Sequence, residues 1–239
     1  MLHYTEDFRA ASDSIGLRIQ LITDRHQRRE AFALRYRAYL HEGAIEGNDW
    51  GWFSDTYDML RTSVLFGAFD EEGRIVGVLR FAVQPPRSAG IVGFRSGPEF
   101  EIFPETLAEL GSDDRAIVSG SRFAIEPNHP RRSEIALLLV FALVHAGRGV
   151  NAQLGIATAR GSHLKFYERF LHMKPVCEPR RMPGLLYDYN LLAVNIDESY
   201  DSILSGFPTR YRAQFEALQP FWGAEVALSL RDVAHGSRL

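Results

Sequence analysis

The chain has 239 residues, of which 46% are hydrophobic and 24% charged, enough apolar content to bury a full core and to set intrinsic disorder aside. A net charge of −3, with no run of five or more basic residues, argues against a nucleic-acid-binding protein. The longest apolar run, residues 135–144, is too short for a bilayer crossing, which takes about 20 residues. A single cysteine, Cys177, allows no internal disulfide and fits a reducing compartment; with no signal-peptide pattern at the N-terminus, a cytoplasmic protein is expected. Lysine occurs only at Lys165 and Lys174, so positive charge is carried by arginine, the cation suited to planar, forked contacts.

Taken in order, residues 1–16 read as a polar N-terminal arm and 17–22 alternate as a strand. Asp24 caps a helix over 25–41, with Gln27 completing a capping box. Arg28, Phe32, Arg35 and Tyr39 form a stripe on that helix, which puts Arg35 on or beside its inward face. The glycine-rich loop 43–54 holds Trp50 and Trp52, either as a lid over an apolar pocket or as pins for the loop. Asp55 and Asp58 follow at a spacing that puts both on one face of a helical turn.

Strands over 63–69 and 74–83 are joined by Asp70-Glu71-Glu72-Gly73, a hairpin signal, and Arg80 sits inside the second. An irregular insertion with a helix over 100–110 precedes the most informative stretch. There a strand over 117–126 carries Arg122 in an apolar interior, and a loop over 127–132 leads into an apolar helix over 133–146. A strand over 153–159, a helix over 163–171 capped by Ser162, and strands over 173–178 and 185–196 complete the series. Residues 197–239 read as a helical C-terminal extension on the same domain. The order predicts an α/β fold with one mixed sheet covered by helices.

Two sets of side chains suggest chemistry. Arg35, Arg80 and Arg122 cannot be neutralised, so inside a protein they need anionic partners. Asp55 and Asp58 are the nearest candidates, and two carboxylates against three guanidinium groups would leave positive charge for a ligand; a purely structural ion-pair network is the other reading. Arg131, Arg132 and Ser133 stand at the entry of the apolar helix, where unpaired N–H groups and the helix dipole favour an anion. His129, His145, His163 and Cys177 lack metal-ligand spacing, and no metal is expected.

The segment Phe166-Tyr167-Glu168-Arg169-Phe170-Leu171 resembles the Phe-Tyr-Glu-x-Leu-Gly-Phe motif of the GNAT superfamily of N-acyltransferases, without its glycine. The resemblance implies that Tyr167 protonates a thiolate leaving group. The superfamily's pyrophosphate loop, Arg/Gln-x-x-Gly-x-Gly/Ala, has as its counterpart Glu126-Pro127-Asn128-His129-Pro130-Arg131-Arg132-Ser133-Glu134, which holds no glycine. That departure favours a single phosphate, hence a phosphopantetheine arm on acyl-carrier protein rather than coenzyme A.

Arg35 in Leu-Arg-Tyr-Arg-Ala-Tyr, Asp55-Thr-Tyr-Asp58, Arg80 in Gly-Val-Leu-Arg-Phe and Ser121-Arg122-Phe123-Ala124-Ile125 occur in an order that resembles the acyl-homoserine-lactone synthases and the related N-acyl amino acid synthases. The resemblance spans roughly residues 17–196. It implies a GNAT-like sheet, mostly antiparallel and splayed between strands 117–126 and 153–159, that moves an acyl group from acyl-carrier protein, or acyl-CoA, to an amine. Asp55, Asp58, Ser119 and Tyr167 take catalytic positions in this expectation, with Arg35, Arg80, Ser121, Arg122, Phe123 and Ala124 around the substrates and Arg131, Arg132 and Ser133 on the donor phosphate. Ser119 stands where lactone synthases usually carry a glutamate. This departure favours an amino acid acceptor over S-adenosylmethionine, and it leaves a non-catalytic acyl-binding module as a further alternative. No tightly bound cofactor is expected.

Overall fold

A computed structural model describes residues 16–90, 95–111 and 114–207. Most of the expected N-terminal arm and the extension beyond residue 207 lie outside the described residues. Within them the chain forms one eight-stranded sheet with helices on both faces. The sheet begins with β1 (Leu17–Leu21), and Asp24 then caps α1 (Arg25–His41), its side chain accepting from the backbone N–H groups of His26 and Gln27. β2 (Ser63–Asp70) and β3 (Ile75–Gln84) form the predicted hairpin, where Asp70 turns the chain by accepting from Arg74.

The insertion that follows is more broken than its apolar pattern suggested. Instead of one helix over 100–110 there are two short ones, α2 (Glu99–Ile102) and α3 (Pro104–Leu110). Pro104 forces the division: proline starts a helix well but cannot continue one. β4 (Ile117–Ile125), α4 (Arg132–Gly149) and β5 (Leu154–Ala159) form a strand–helix–strand crossover. A 3₁₀ turn (Gly161–His163) precedes α5 (Leu164–Leu171), and no side chain caps either, so Ser162 is not the cap its sequence position suggested. The strand expected over 173–178 shrinks to β6 (Lys174–Pro175), followed by β7 (Arg180–Arg181) and β8 (Asp188–Asn195). Asn195 caps α6 (Ile196–Ser205), the first part of the expected extension, which packs on α4 and α5.

Strand order is β1-β2-β3-β4-β5-β8-β6, with β7 also on β8, and every pair is antiparallel except β4–β5. The helical crossover through α4 is what a parallel pair requires. α4 lies across β1–β4 on one face, with Ile135, Leu138, Leu139 and Phe141 in the largest core cluster. α1 covers the opposite face, where Ala31, Leu34 and Ala38 meet Leu65, Phe69 and Val78. Among the described residues no helix is long and apolar enough to cross a membrane.

Two local features of β4 position everything that follows. The β3–β4 register passes from Val78↔Ala124 to Arg80↔Ser121, so Arg122 and Phe123 stand together opposite Leu79. This is a β-bulge, and Arg122 adopts a left-handed backbone with φ of 54°. Period-two alternation would send Arg122 to the α4 face, away from Ser121; the bulge returns it to the α1 face. The second feature is Gly120, whose missing side chain lets Leu143 of α4 pack directly on the strand. Replacing Gly120 with valine should drive a side chain into Leu143 and lower unfolding free energy by about 1–3 kcal/mol, measurable by urea denaturation.

Candidate active site

The charged residues singled out in the sequence converge on the α1 face of β3 and β4. Asp55 starts a 3₁₀ turn (Thr56–Met59), accepting from the N–H groups of Tyr57 and Asp58, while the Asp58 carboxylate accepts from the Asp55 N–H at 3.0 Å. This reciprocal cap fixes both carboxylates toward the sheet. Arg35, from the inward stripe of α1, grips Asp58 through both guanidinium ends at 2.7 and 3.2 Å, and both side chains are fully buried. Arg80 reaches Asp55 at 2.5 Å, Asp58 at 3.4 Å and the Ser121 hydroxyl at 3.1 Å. Arg122, turned inward by the bulge, holds Asp55 with Nε and Nη2 at 2.8 and 2.7 Å. Phe32, Phe53 and Tyr57 lie against the faces of Arg35, Arg122 and Arg80.

A third carboxylate completes the cluster. Glu99, the first residue of α2, is 1% exposed and accepts a hydrogen bond from the Ser119 hydroxyl. Three guanidinium groups therefore face three carboxylates, which corrects the expectation of spare positive charge. Burial opposes ionisation of Asp58, but Arg35 and Arg80 outweigh it and hold the pKa below the ordinary carboxylate value.

Beside this cluster the sheet opens. β4 pairs with β5 only from Ile117↔Leu154 to Gly120↔Ala157, and beyond Gly120 the two strands part. A cavity of about 420 Å³ fills the gap. Its walls include residues 121–125 of β4, Thr158 and Ala159 of β5, Ala136 and Leu137 of α4, and Phe166, Tyr167 and Phe170 of α5. From the other face of the sheet come Tyr39, Pro98, Met182, Leu185 and Tyr189. The cavity thus passes from one face of the sheet to the other.

Of the predicted site residues, Ser121, Arg122, Phe123, Ala124, Arg132, Ser133 and Tyr167 line this cavity. Arg35, Asp55, Asp58, Arg80 and Ser119 stand behind its wall. Arg131 is placed elsewhere: its Nε binds Glu134 at 2.6 Å, and the guanidinium lies near Gly16 at the start of β1. Arg132 stays at the cavity, donating to the Glu126 carbonyl at 3.2 Å and facing Glu42 at 3.6 Å. Trp50 and Trp52, at 73% and 43% exposure, are not part of the cavity wall.

Several lining residues carried no sequence motif. Arg160 donates to the Glu42 carbonyl at 3.3 Å and stacks on Tyr187, adding a second guanidinium beside Arg132. Burial lowers the pKa of His163, although Glu42 opposes the shift. Burial raises the pKa of Tyr167, and Tyr39 adds to the effect, so the phenol keeps its proton at neutral pH. Tyr189 is pushed up to about 12, first by burial and then by Tyr39. Tyr167 was marked by its motif, and Tyr39 by its place on the Arg28–Phe32–Arg35 stripe; Arg160 and Tyr189 had no such signal.

The sequence profile of the N-acyl amino acid synthase FeeM matches residues 30–195, a span that contains the cluster, the bulge and the cavity. The chain belongs to the FeeM family of N-acyl amino acid synthases. It is an acyltransferase. No curated protein matches the chain. Among solved structures, FeeM from uncultured soil microbes is 14% identical with a TM-score of 0.62, covering 79% of this chain and 95% of FeeM. TofI, in a ternary complex with an inhibitor and MTA, is 19% identical with a TM-score of 0.59, covering 82% of this chain and 100% of TofI. BjaI, a CoA-dependent acyl-homoserine lactone synthase solved with MTA, is 21% identical with a TM-score of 0.57, covering 81% of this chain and 92% of BjaI. These similarities establish the shared GNAT-like fold.

The cluster has a signature in acid. Because the folded pKa of Asp58 is depressed, its contribution is present above the unfolded carboxylate value of about 4 and is lost as pH falls through the folded value. Asp58→Asn leaves Arg35 buried without its charge partner and should cost about 3–5 kcal/mol at pH 7. The gap between wild type and variant should narrow in unfolding curves taken progressively below about pH 4.

Proposed function

We propose that this acyltransferase moves an acyl group, long-chain in this reading, from an acyl-carrier-protein thioester to the amine of an amino acid in the cytoplasm. The observation that carries the reading is the gap between β4 and β5, which exposes residues 121–125 of β4 to a cavity whose lining is largely apolar. A thioester laid along that edge would direct its carbonyl oxygen toward strand N–H groups that β5 no longer occupies. Such donors stabilise the oxyanion that develops when an amine attacks. Collapse of the tetrahedral intermediate breaks the carbon–sulfur bond; Tyr167, kept protonated by burial, gives its proton to the departing sulfur, and the surplus proton that nitrogen loses as the amide forms restores the phenol. Asp55 and Asp58, given catalytic positions from sequence, are held by Arg122, Arg80 and Arg35, and in this reading they fix the wall of the site.

Donor choice rests on the cavity mouth. Arg132 and Arg160 stand there with Ser133 at the first turn of α4, which no side chain caps. With Arg131 turned away, this set suits one phosphate rather than a pyrophosphate, which favours the phosphopantetheine arm of a carrier protein over coenzyme A. Phe166, Phe170 and Leu137 give the acyl chain an apolar wall. A lactone synthase using S-adenosylmethionine is the second reading, supported by the folds of TofI and BjaI.

Incubation with acyl-carrier thioester and a mixture of amino acids should release free thiol and yield N-acyl amino acids by mass spectrometry; a lactone as sole product from S-adenosylmethionine would overturn the acceptor. Arg132→Ala should raise KM for the carrier thioester about tenfold, whereas Arg131→Ala should leave it unchanged. Tyr167→Phe should lower kcat by roughly 100-fold with little effect on donor KM.

A further inference from the structure

The buried cluster is balanced in charge, but its hydrogen bonding is incomplete. Glu99 spends Oε1 on Ser119, and its Oε2 has no hydrogen-bond partner. Arg80 uses Nε on Ser121 and Nη1 on Asp55, and its Nη2 has none. The hydroxyls of Ser63 and Ser96 are buried without partners as well. A buried carboxylate oxygen and a buried guanidinium N–H each cost free energy when left unpaired.

Ser63, Arg80 and Ser119 share one face of the sheet, and Glu99 reaches that face through Ser119. Ser63 lies opposite Ala82, Ala82 lies opposite Ser119, and Arg80 lies opposite Ser121 one row along the same face. The side chains of this row, Ser63, Ala82 and Ser119, are all small, and Glu99 meets the row at Ser119. Ser96, whose N–H donates to Gln84, precedes Glu99 on the segment that closes over this row. Arg80 feels the Glu99 charge, and Tyr57, stacked on Arg80, feels it too while hydrogen-bonding Glu101. The row adjoins the cavity: Ser121 and Pro98, neighbours of Arg80 and Glu99, both line it.

We propose that Glu99 and Arg80 form the recognition site for the head group of the acceptor, with Glu99 Oε2 taking the ammonium and Arg80 Nη2 the carboxylate. The assignment rests on the acyltransfer to amino acids proposed above and names the groups that select for them. An unpaired acceptor beside an unpaired donor complements a zwitterion, and a charge-balanced cluster can take up a net-neutral head without burying an excess charge. Glu99 also removes the proton that must leave before attack: the ammonium N–H bond breaks, its electron pair stays on nitrogen and the proton moves to Glu99 Oε2. The carboxylate absent at position 119 is thereby supplied from α2, and Ser119 orients it.

The test pairs a loss with a relocation. In Glu99→Gln, KM for the amino acid should rise at least tenfold and kcat should fall about 100-fold, with KM for the acyl-carrier thioester unchanged. Returning the carboxylate to β4, in the double variant Glu99→Gln with Ser119→Glu, should recover most of the loss. Wild-type protein should show a raised melting temperature with free amino acids, each common one tried in turn, but not with their N-acetyl or amide forms, and Glu99→Gln should lose that response. Acceptor KM and kcat within twofold of wild type in Glu99→Gln would overturn the assignment. So would a variant that only melts lower, with donor and acceptor KM affected alike and no recovery in the double variant. If wild type binds free amino acids through Glu99 yet releases no thiol from any acyl donor, the transferase reading fails and the recognition site stands.

Discussion

Burying arginine is the constraint on which this molecule turns. Arg35 and Arg80 are wholly inaccessible to solvent, and a guanidinium stays charged in any surrounding. Their removal from water is tolerable only where carboxylates meet them at hydrogen-bonding distance from fixed positions. The reciprocal cap at Asp55 and Asp58, the stripe of α1 and the bulge in β4 together satisfy that requirement. Each is a local device, but the cluster ties the loop before β2, the first helix and the two central strands into a single block. That block forms the rigid wall of the cavity beside it, which a positioned acyl donor requires.

How much of this could be read from the chain differs by the range of the interactions. The arginine and aspartate positions were legible because helix and strand periodicity set their faces, and because the cap at Asp55 spans only three residues. The strand–helix–strand crossover was visible in its apolar runs. Glu99 was not, because it lies in an irregular insertion without periodicity, and only the tertiary fold brings it to Ser119, twenty residues away in sequence. The counting of charges failed for that reason alone. Arg122 has a different lesson: simple alternation points it at α4, and a single inserted residue in the ladder reverses it. Arg131 and Arg132 look equivalent in sequence, yet successive residues at a helix entry are rotated by about 100°, so one meets the cavity and its neighbour meets β1.

The family relationship and the geometry bear on different levels. The profile match over residues 30–195 places the chain among N-acyl amino acid synthases, while structural neighbours of both the amino acid and the lactone-forming kind share its fold. Ser119 and Glu99 bear on that distinction only through the assignment proposed above. In that proposal a carboxylate on α2 takes the place expected of one on β4.

The cavity that crosses the sheet has a consequence for the order of events in catalysis. Its lining comes from α4 and α5 on one face and from α1, Pro98 and the segment around Met182 on the other. In the proposed reaction an acyl donor would thread from one side and the amine would wait on the opposite side, with the parted strands between them. In the transfer proposed above, both co-substrates would occupy the enzyme at once, and the acyl group would pass directly between them. Such a transfer needs no acyl group carried on a side chain of the protein. Steady-state kinetics of such an arrangement follow intersecting rather than parallel double-reciprocal lines, a property set by where β5 parts from β4.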